Sequence, residues 1–230
     1  MLKYLDLSGN PDLSGQDIAL AVRRNSSLTS LDIRNIPSFN EDSVFKSIGS
    51  FLLQEGCQCR LGFLLCDKFE VRSGQKELRI ESPTVPVAAP APVKGGLKVV
   101  SRESVLMMLA GILKFNSSLT KVEILNMGLD DRATKDYYYA IKENTVLEYL
   151  DISGNPVGAA GIAEIAEAVR THPALQFFKV DGAALPVRQV LGLTNLVGDA
   201  TGVKGSEGGI KLQMADWGLG PLSGQVMIAH

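Results

Sequence analysis

Three cysteines, Cys57, Cys59 and Cys66, fall within one short stretch of this 230-residue chain, a density that raises the question of a metal site or a disulfide. A structural zinc ion takes four ligands, commonly in paired C-x-x-C spacing. Here two cysteines are one residue apart and the only histidines, His172 and His230, are distant in sequence. The odd count and the absence of a secretory leader argue against a disulfide, so the thiols are expected to act as small core hydrophobes. Lys204-Gly205-Ser206 looks like part of a phosphate loop, but Glu207-Gly208-Gly209 follows where a helix would have to begin. No carboxylate pair, histidine–nucleophile spacing or G-x-S-x-G is present. Catalytic, metal and cofactor residues are therefore expected to be none, and the protein is expected not to be an enzyme. What is left is a set of strand residues, Lys121, Glu123, Tyr149, Asp151, Phe177 and Lys179. Aromatic rings exposed beside charge are the chemistry of protein recognition.

The segment that must position them runs from Leu147 to Pro173. Leu147, Leu150 and Ile152 are spaced for a short strand with one buried face, whereas Ile162, Ile165, Ala166 and Val169 form a helical stripe. Gly154, Asn155 and Pro156 supply the turn between them, and Gly158 and Gly161 are expected to loosen the start of the helix. A strand plus a helix cannot bury its apolar faces alone, but it can against a neighbour of the same shape. From Leu147 back to Leu119, a step of 28 residues, Leu119, Val122 and Ile124 take the strand positions and Tyr137, Tyr138 and Ile141 the later helix positions. Earlier stripes follow at Ile18, Ala19 and Val22, at Val44, Ile48, Phe51 and Leu52, and at Leu106, Leu109, Ala110 and Leu113. Asn25, Asn116, Asn144 and His172 each stand three residues before the first leucine of the next strand, at Leu28, Leu119, Leu147 and Leu175.

Leu2-Lys-Tyr-Leu5-Asp-Leu7-Ser-Gly-Asn10 and Leu147-Glu-Tyr-Leu150-Asp-Ile152-Ser-Gly-Asn155 resemble leucine-rich repeats, specifically the long ribonuclease-inhibitor kind in which each unit is a strand and a full helix. The strand signatures start at Leu2, Leu28, Leu119, Leu147 and Leu175, with weaker ones around Leu78–Ile80 and Leu212–Met214. Only Asn10 and Asn155 occupy the family's asparagine-ladder position; Ile36, Met127 and Ala183 stand there elsewhere, while Asn35 and Asn126 come one residue early. The resemblance implies an α/β leucine-rich repeat solenoid, a horseshoe with a parallel inner sheet, outer helices and irregular loop insertions. Leu5, Leu31, Val122, Leu150 and Phe178 are expected to point into one core. The chain is expected to form a single domain over 1–230, with insertions at about 83–96, which is proline-rich, and 194–209, which is glycine-rich. Leu61 to Cys66 reads as a buried strand opening a shortened repeat, and because Met1 enters a strand without a polar cap and His230 stops within a helix, the chain is expected to be a fragment of a longer array.

A formal net charge of -2 gives no general attraction to nucleic acid or to an anionic membrane, and no apolar run approaches bilayer-spanning length. A cytoplasmic location follows as the expectation. Asp6, Asp32, Glu123 and Asp151 recur at one strand position and are expected to point outward, as an acidic stripe for a basic partner or simply as solvated carboxylates. The function implied is a protein–protein interaction scaffold whose partner docks on the concave strand face between Glu123 and Lys179. Tyr149 and Phe177 are expected to be neighbours there, with Lys121 in the same column and Glu123, Asp151 and Lys179 in the next. The alternatives are regulation of a small GTPase, suggested by the similar repeats of the activator of the nuclear-transport GTPase, and a recognition array of a larger sensor or ubiquitin-ligase receptor.

Overall fold

In a computed structural model the chain is described over residues 1–82 and 100–180 and at the strand 211–213. The insertions expected at 83–96 and 194–209, and position 183, lie outside the described residues. The chain forms two compact units, Met1–Gln75 with Ser82–Asn116, and Lys76–Glu81 with Ser117–His230.

The first unit contains β1 (Tyr4–Asp6), α1 (Gly15–Arg24), β2 (Ser30–Asp32), α2 (Asp42–Leu53), β3 (Phe63–Leu65), β4 (Glu70–Val71) and α3 (Arg102–Phe115). Its sheet runs β1-β2-β3-β4, parallel except for the last pair. The antiparallel β3–β4 hairpin departs from the strand–helix pattern. Only four residues separate Leu65 from Glu70, too few for a crossover helix, and the Cys66 amide donates to the Phe69 carbonyl across the turn. The three thiols are free and buried, and burial raises the Cys66 thiol to about 11, as expected of core hydrophobes.

The second unit contains β5 (Glu77–Glu81), β6 (Lys121–Leu125), α4 (Ala133–Glu143), β7 (Tyr149–Asp151), α5 (Ala159–Thr171), β8 (Phe177–Lys179) and β9 (Lys211–Gln213). Its sheet, β5-β6-β7-β8-β9, is parallel throughout. The strands thus form two sheets, and the five repeats read from sequence pair in parallel wherever they are adjacent. Leu31, Val122, Leu150 and Phe178 are buried as expected, while Leu5 is half-buried.

The helical stripes are buried largely as their spacing predicts, with two changes. In α4 the buried face is Thr134, Tyr137, Ala140 and Ile141, and Tyr138 is half-exposed beneath Lys142, whose Nζ lies 5.3 Å from the ring centre. In α2 Phe45 is buried and Phe51 is only partly covered, with the Arg23 guanidinium over its ring. The two helices of the first unit's inner pair approach backbone to backbone. A Cβ added at Gly49 of α2 would lie 2.8 Å from the Met108 nitrogen of α3.

The repeated junction residues all act as helix C-caps. Asn25 accepts from the Ser27 and Leu28 amides, Asn144 from Val146 and Leu147, and the His172 Nδ1 from Ala174 and Leu175. A side-chain acceptor at this point satisfies amides that the incoming strand cannot, and so sets where each strand begins. At three helix starts a residue distant in sequence adds an acceptor, at α1 and α3 beside the helix's own Ser14 and Ser101 caps. The Ser38 hydroxyl accepts from Gly15 of α1, Asp42 accepts from the Ser101 amide and the Ser104 hydroxyl at α3, and Asp131 accepts from Gly158 and Gly161 at α5. Gly158 and Gly161 therefore do not loosen α5. They leave room for the carboxylate, since a Cβ at either position would lie 2.7 Å from an Asp131 oxygen.

The early asparagines also acquire a reason. Asn35 (φ 58°) and Asn126 (φ 54°) adopt the left-handed conformation held by Gly9 and Gly154, each at φ 72°, at the same point of the turn after the strand. They replace the turn glycine, because asparagine tolerates that region better than other side chains. Asn155 fills the ladder position: its Nδ2 donates to the Ile124 and Ile152 carbonyls at 2.6 and 2.7 Å, and its Oδ1 accepts from the Met127 and Leu129 amides.

Candidate functional site

Parallel pairing in β5–β8 brings outward side chains into two columns. The first aligns Glu77, Lys121, Tyr149 and Phe177, and the second Arg79, Glu123, Asp151 and Lys179. All six residues singled out from sequence lie in these columns, in the expected order. The Tyr149 and Phe177 ring centres are 6.0 Å apart and tilted by 38°, and the Lys121 Nζ lies 5.5 Å from the centre of the Tyr149 ring. Phe177 is 37% exposed, a large apolar side chain left open on the sheet.

The second column is an ion-pair ladder. Glu123 contacts Arg79 at 3.6 Å and Lys121 at 3.4 Å, and Asp151 contacts Lys179 at 3.4 Å. Arg79 also holds Glu81 through two nitrogens, the closer at 2.6 Å. Bonding to Glu81 strengthens the Arg79 cation further, and the charge of Glu123 raises the Lys121 ammonium above its ordinary value. Burial, followed by the nearby Asp151 charge, raises the Tyr149 phenol.

The expectation of outward, solvated strand acids is corrected at two positions. Asp32 and Asp151 are 2% and 3% exposed, because a short carboxylate can turn back onto its own chain. Asp6 accepts from the Ser8 amide, Asp32 from Arg34 and Asp151 from Ser153, the same two-residue turn three times. The Arg34 guanidinium covers Asp32 at 2.6 Å, and Lys179 reaches Asp151 from the next strand. Repetition of aspartate is thus explained by the turn at each strand exit. Glu123, one methylene longer, makes no such turn contact and keeps its carboxylate for the ladder.

A cavity of about 320 Å³ opens among Arg79, Glu123, Tyr149, Asp151, Ser153 and Lys179. Four of these belong to the predicted set, whereas Arg79 and Ser153 do not. The signal for Arg79 was present in sequence: Leu78-x-Ile80 matches Val122-x-Ile124, so Glu77 and Arg79 had to extend the columns by one strand. The long segment between β5 and β6 obscured that correspondence. Among the described residues no group of histidine, cysteine or acidic side chains is arranged to hold a metal ion, and no helix is long and apolar enough to cross a membrane.

A family profile described as "Leucine Rich repeat" matches residues 143–166, the end of α4 through most of α5. That stretch, one strand–helix unit, is what the family profile recognises as similar to a leucine-rich repeat. Among curated proteins no match is found. A solved structure, "Leiomodin-1 Actin-Binding Site 2 (ABS2)", is similar at a TM-score of 0.43 and 17% identity, over 49% of this chain. The match spans 62% of that chain's length. The repeat match and the mixed α/β architecture with parallel strands fit an α/β leucine-rich repeat fold.

Proposed function

We propose that this chain is a non-catalytic protein-binding module, built from repeats of the ribonuclease-inhibitor-like, horseshoe-forming kind. Its partner docks on the outward face of β5–β8, at Lys121, Glu123, Tyr149, Asp151, Phe177 and Lys179. The observation that carries this reading is the Tyr149–Phe177 pair, two adjacent rings on a sheet face within a frame of charges. Rings fixed by strand register lose little freedom on binding, and such anchors dominate interface energetics. The free, buried thiols suit a reducing compartment, which supports a cytoplasmic location. The strand–helix repeat from Lys121 to Thr171, with full helices of 11 and 13 residues, supports the subtype.

The test is affinity capture from native extract with the wild-type chain and the Tyr149→Ala/Phe177→Ala double variant, followed by calorimetry on the captured protein. Binding is expected to weaken by about 2 kcal/mol or more, with little change in melting temperature. Loss of folding with unchanged affinity in the folded fraction would return the pair to the core and end this reading.

A further inference from the structure

The docking face of β5–β8 carries a more specific chemistry, which rests on the reading above. We infer that the cavity beside Tyr149 receives an arginine side chain of the protein partner, held by Glu123. Glu123 is the loosely satisfied member of the ladder. Its side chain is only 16% exposed, yet its two ion pairs, at 3.4 and 3.6 Å, are both longer than the 2.6 Å contact that commits Arg79 to Glu81. A mostly covered carboxylate gains more from a close charge-assisted bond than one in water.

Shape and charge select the guest. The cavity, about 320 Å³, admits a single long side chain, and the Tyr149 ring provides a flat wall next to the acidic floor of Glu123 and Asp151. A guanidinium is planar: it can lie against the ring while its fork meets Glu123, and an ammonium can do only one of these well. An anionic guest is disfavoured, because the outer column reads positive, negative, negative, positive, with both carboxylates in the middle and Arg79 and Lys179 already engaged with acids. Lys121, which now shares Glu123, has Glu77 at 3.6 Å as a second partner, so it can yield the site without being left alone.

The experiment titrates the ¹⁵N-labelled full chain with acetyl-Leu-Arg-Leu-amide and with the same peptide carrying lysine, glutamate or phosphoserine in the middle. The arginine peptide is expected to shift the Ser153 and Gly154 amides saturably and to bind about tenfold more tightly than the lysine peptide, in keeping with a forked, charge-assisted contact. Glu123→Gln, close to isosteric, is expected to remove that preference while leaving the rest of the amide spectrum unchanged. Equal response to arginine and lysine, no saturation, or preference for the glutamate or phosphoserine peptide would overturn the inference; the comparison within the wild-type chain needs no variant to fold. If the peptides fail while Tyr149→Ala/Phe177→Ala still abolishes partner capture, the arginine site is wrong and the docking face stands. If the peptide binds but capture is unaffected by the double variant, the docking face itself is wrong.

Discussion

Replacing Gly49 by alanine sets two effects of opposite sign against each other. Gly49 lies inside α2, where glycine costs about 1 kcal/mol relative to alanine, so propensity alone predicts a more stable protein. The structure predicts the reverse. The new Cβ would stand 2.8 Å from the Met108 nitrogen and 2.9 Å from the Met107 carbonyl carbon, both backbone atoms of α3 that cannot rotate away. The helices would have to part by roughly half an ångström, and a gap of that size forfeits about a quarter of each contact along the seam. Overpacking of this kind costs about 1–3 kcal/mol, so the net result is a loss of about 1 kcal/mol instead of a gain. Urea unfolding followed by circular dichroism measures the difference, with an unchanged slope confirming that the unfolded state is the same. Gly111→Ala should also lose stability, because its closest neighbours are the Leu52 Cβ at 2.9 Å, fixed to its own backbone, and the Gly49 carbonyl oxygen at 3.2 Å. A Gly49→Ala protein more stable than wild type would refute the backbone contact.

Asn155→Ala should destabilise by more than about 3 kcal/mol, since it strands buried carbonyls at Ile124 and Ile152 and amides at Met127 and Leu129, whereas Asn10→Ala, at an exposed turn, should cost less than about 1 kcal/mol; paired urea melts compare them. Asn126→Gly should be near neutral and Asn126→Ala should lose about 1 kcal/mol, because alanine has no compensation at φ 54°; thermal melts of the two variants decide it. Burial lowers the His172 imidazole below its ordinary value, and its Nδ1 must stay unprotonated to accept two amides. The folded state therefore binds this proton less readily than the unfolded chain, and stability should fall as pH drops from about 6.5 through the lowered folded value, then level off. His172→Asn keeps an acceptor, as at Asn144, and should flatten that part of the melting-temperature profile; identical profiles would reject the assignment.

The parts of the fold legible in the sequence were those governed by local spacing. Strand alternation fixed which residues share a face, and the 28-residue step from Leu119 to Leu147 to Leu175 fixed the columns in which Lys121, Tyr149 and Phe177 stand. The polar residue before each first leucine marked the helix ends because its job is done within three residues. What stayed hidden depends on distant partners. Asp131 and Gly161 are 30 residues apart, so a glycine that accommodates a carboxylate reads as an ordinary helix loosener. Asp151 and Glu123 look alike as outward acids until Lys179 and the Ser153 turn cover one of them. Arg79 escaped because the segment that follows β5 breaks the period, although the register itself continues unbroken into β6.

The borrowed helix cap carries a rule for changing the length of this array. Asp131 reaches forward to the start of α5, and Asn155 reaches back to the turn that follows β6, so these two neighbours exchange polar bonds in both directions. Inserting a spare 28-residue copy between them would separate donors from acceptors on both sides unless the newcomer brought its own aspartate and asparagine at the matching places. Leucines in register would suffice to stack such a copy, but only one that also closes both exchanges would leave α5 with a capped first turn.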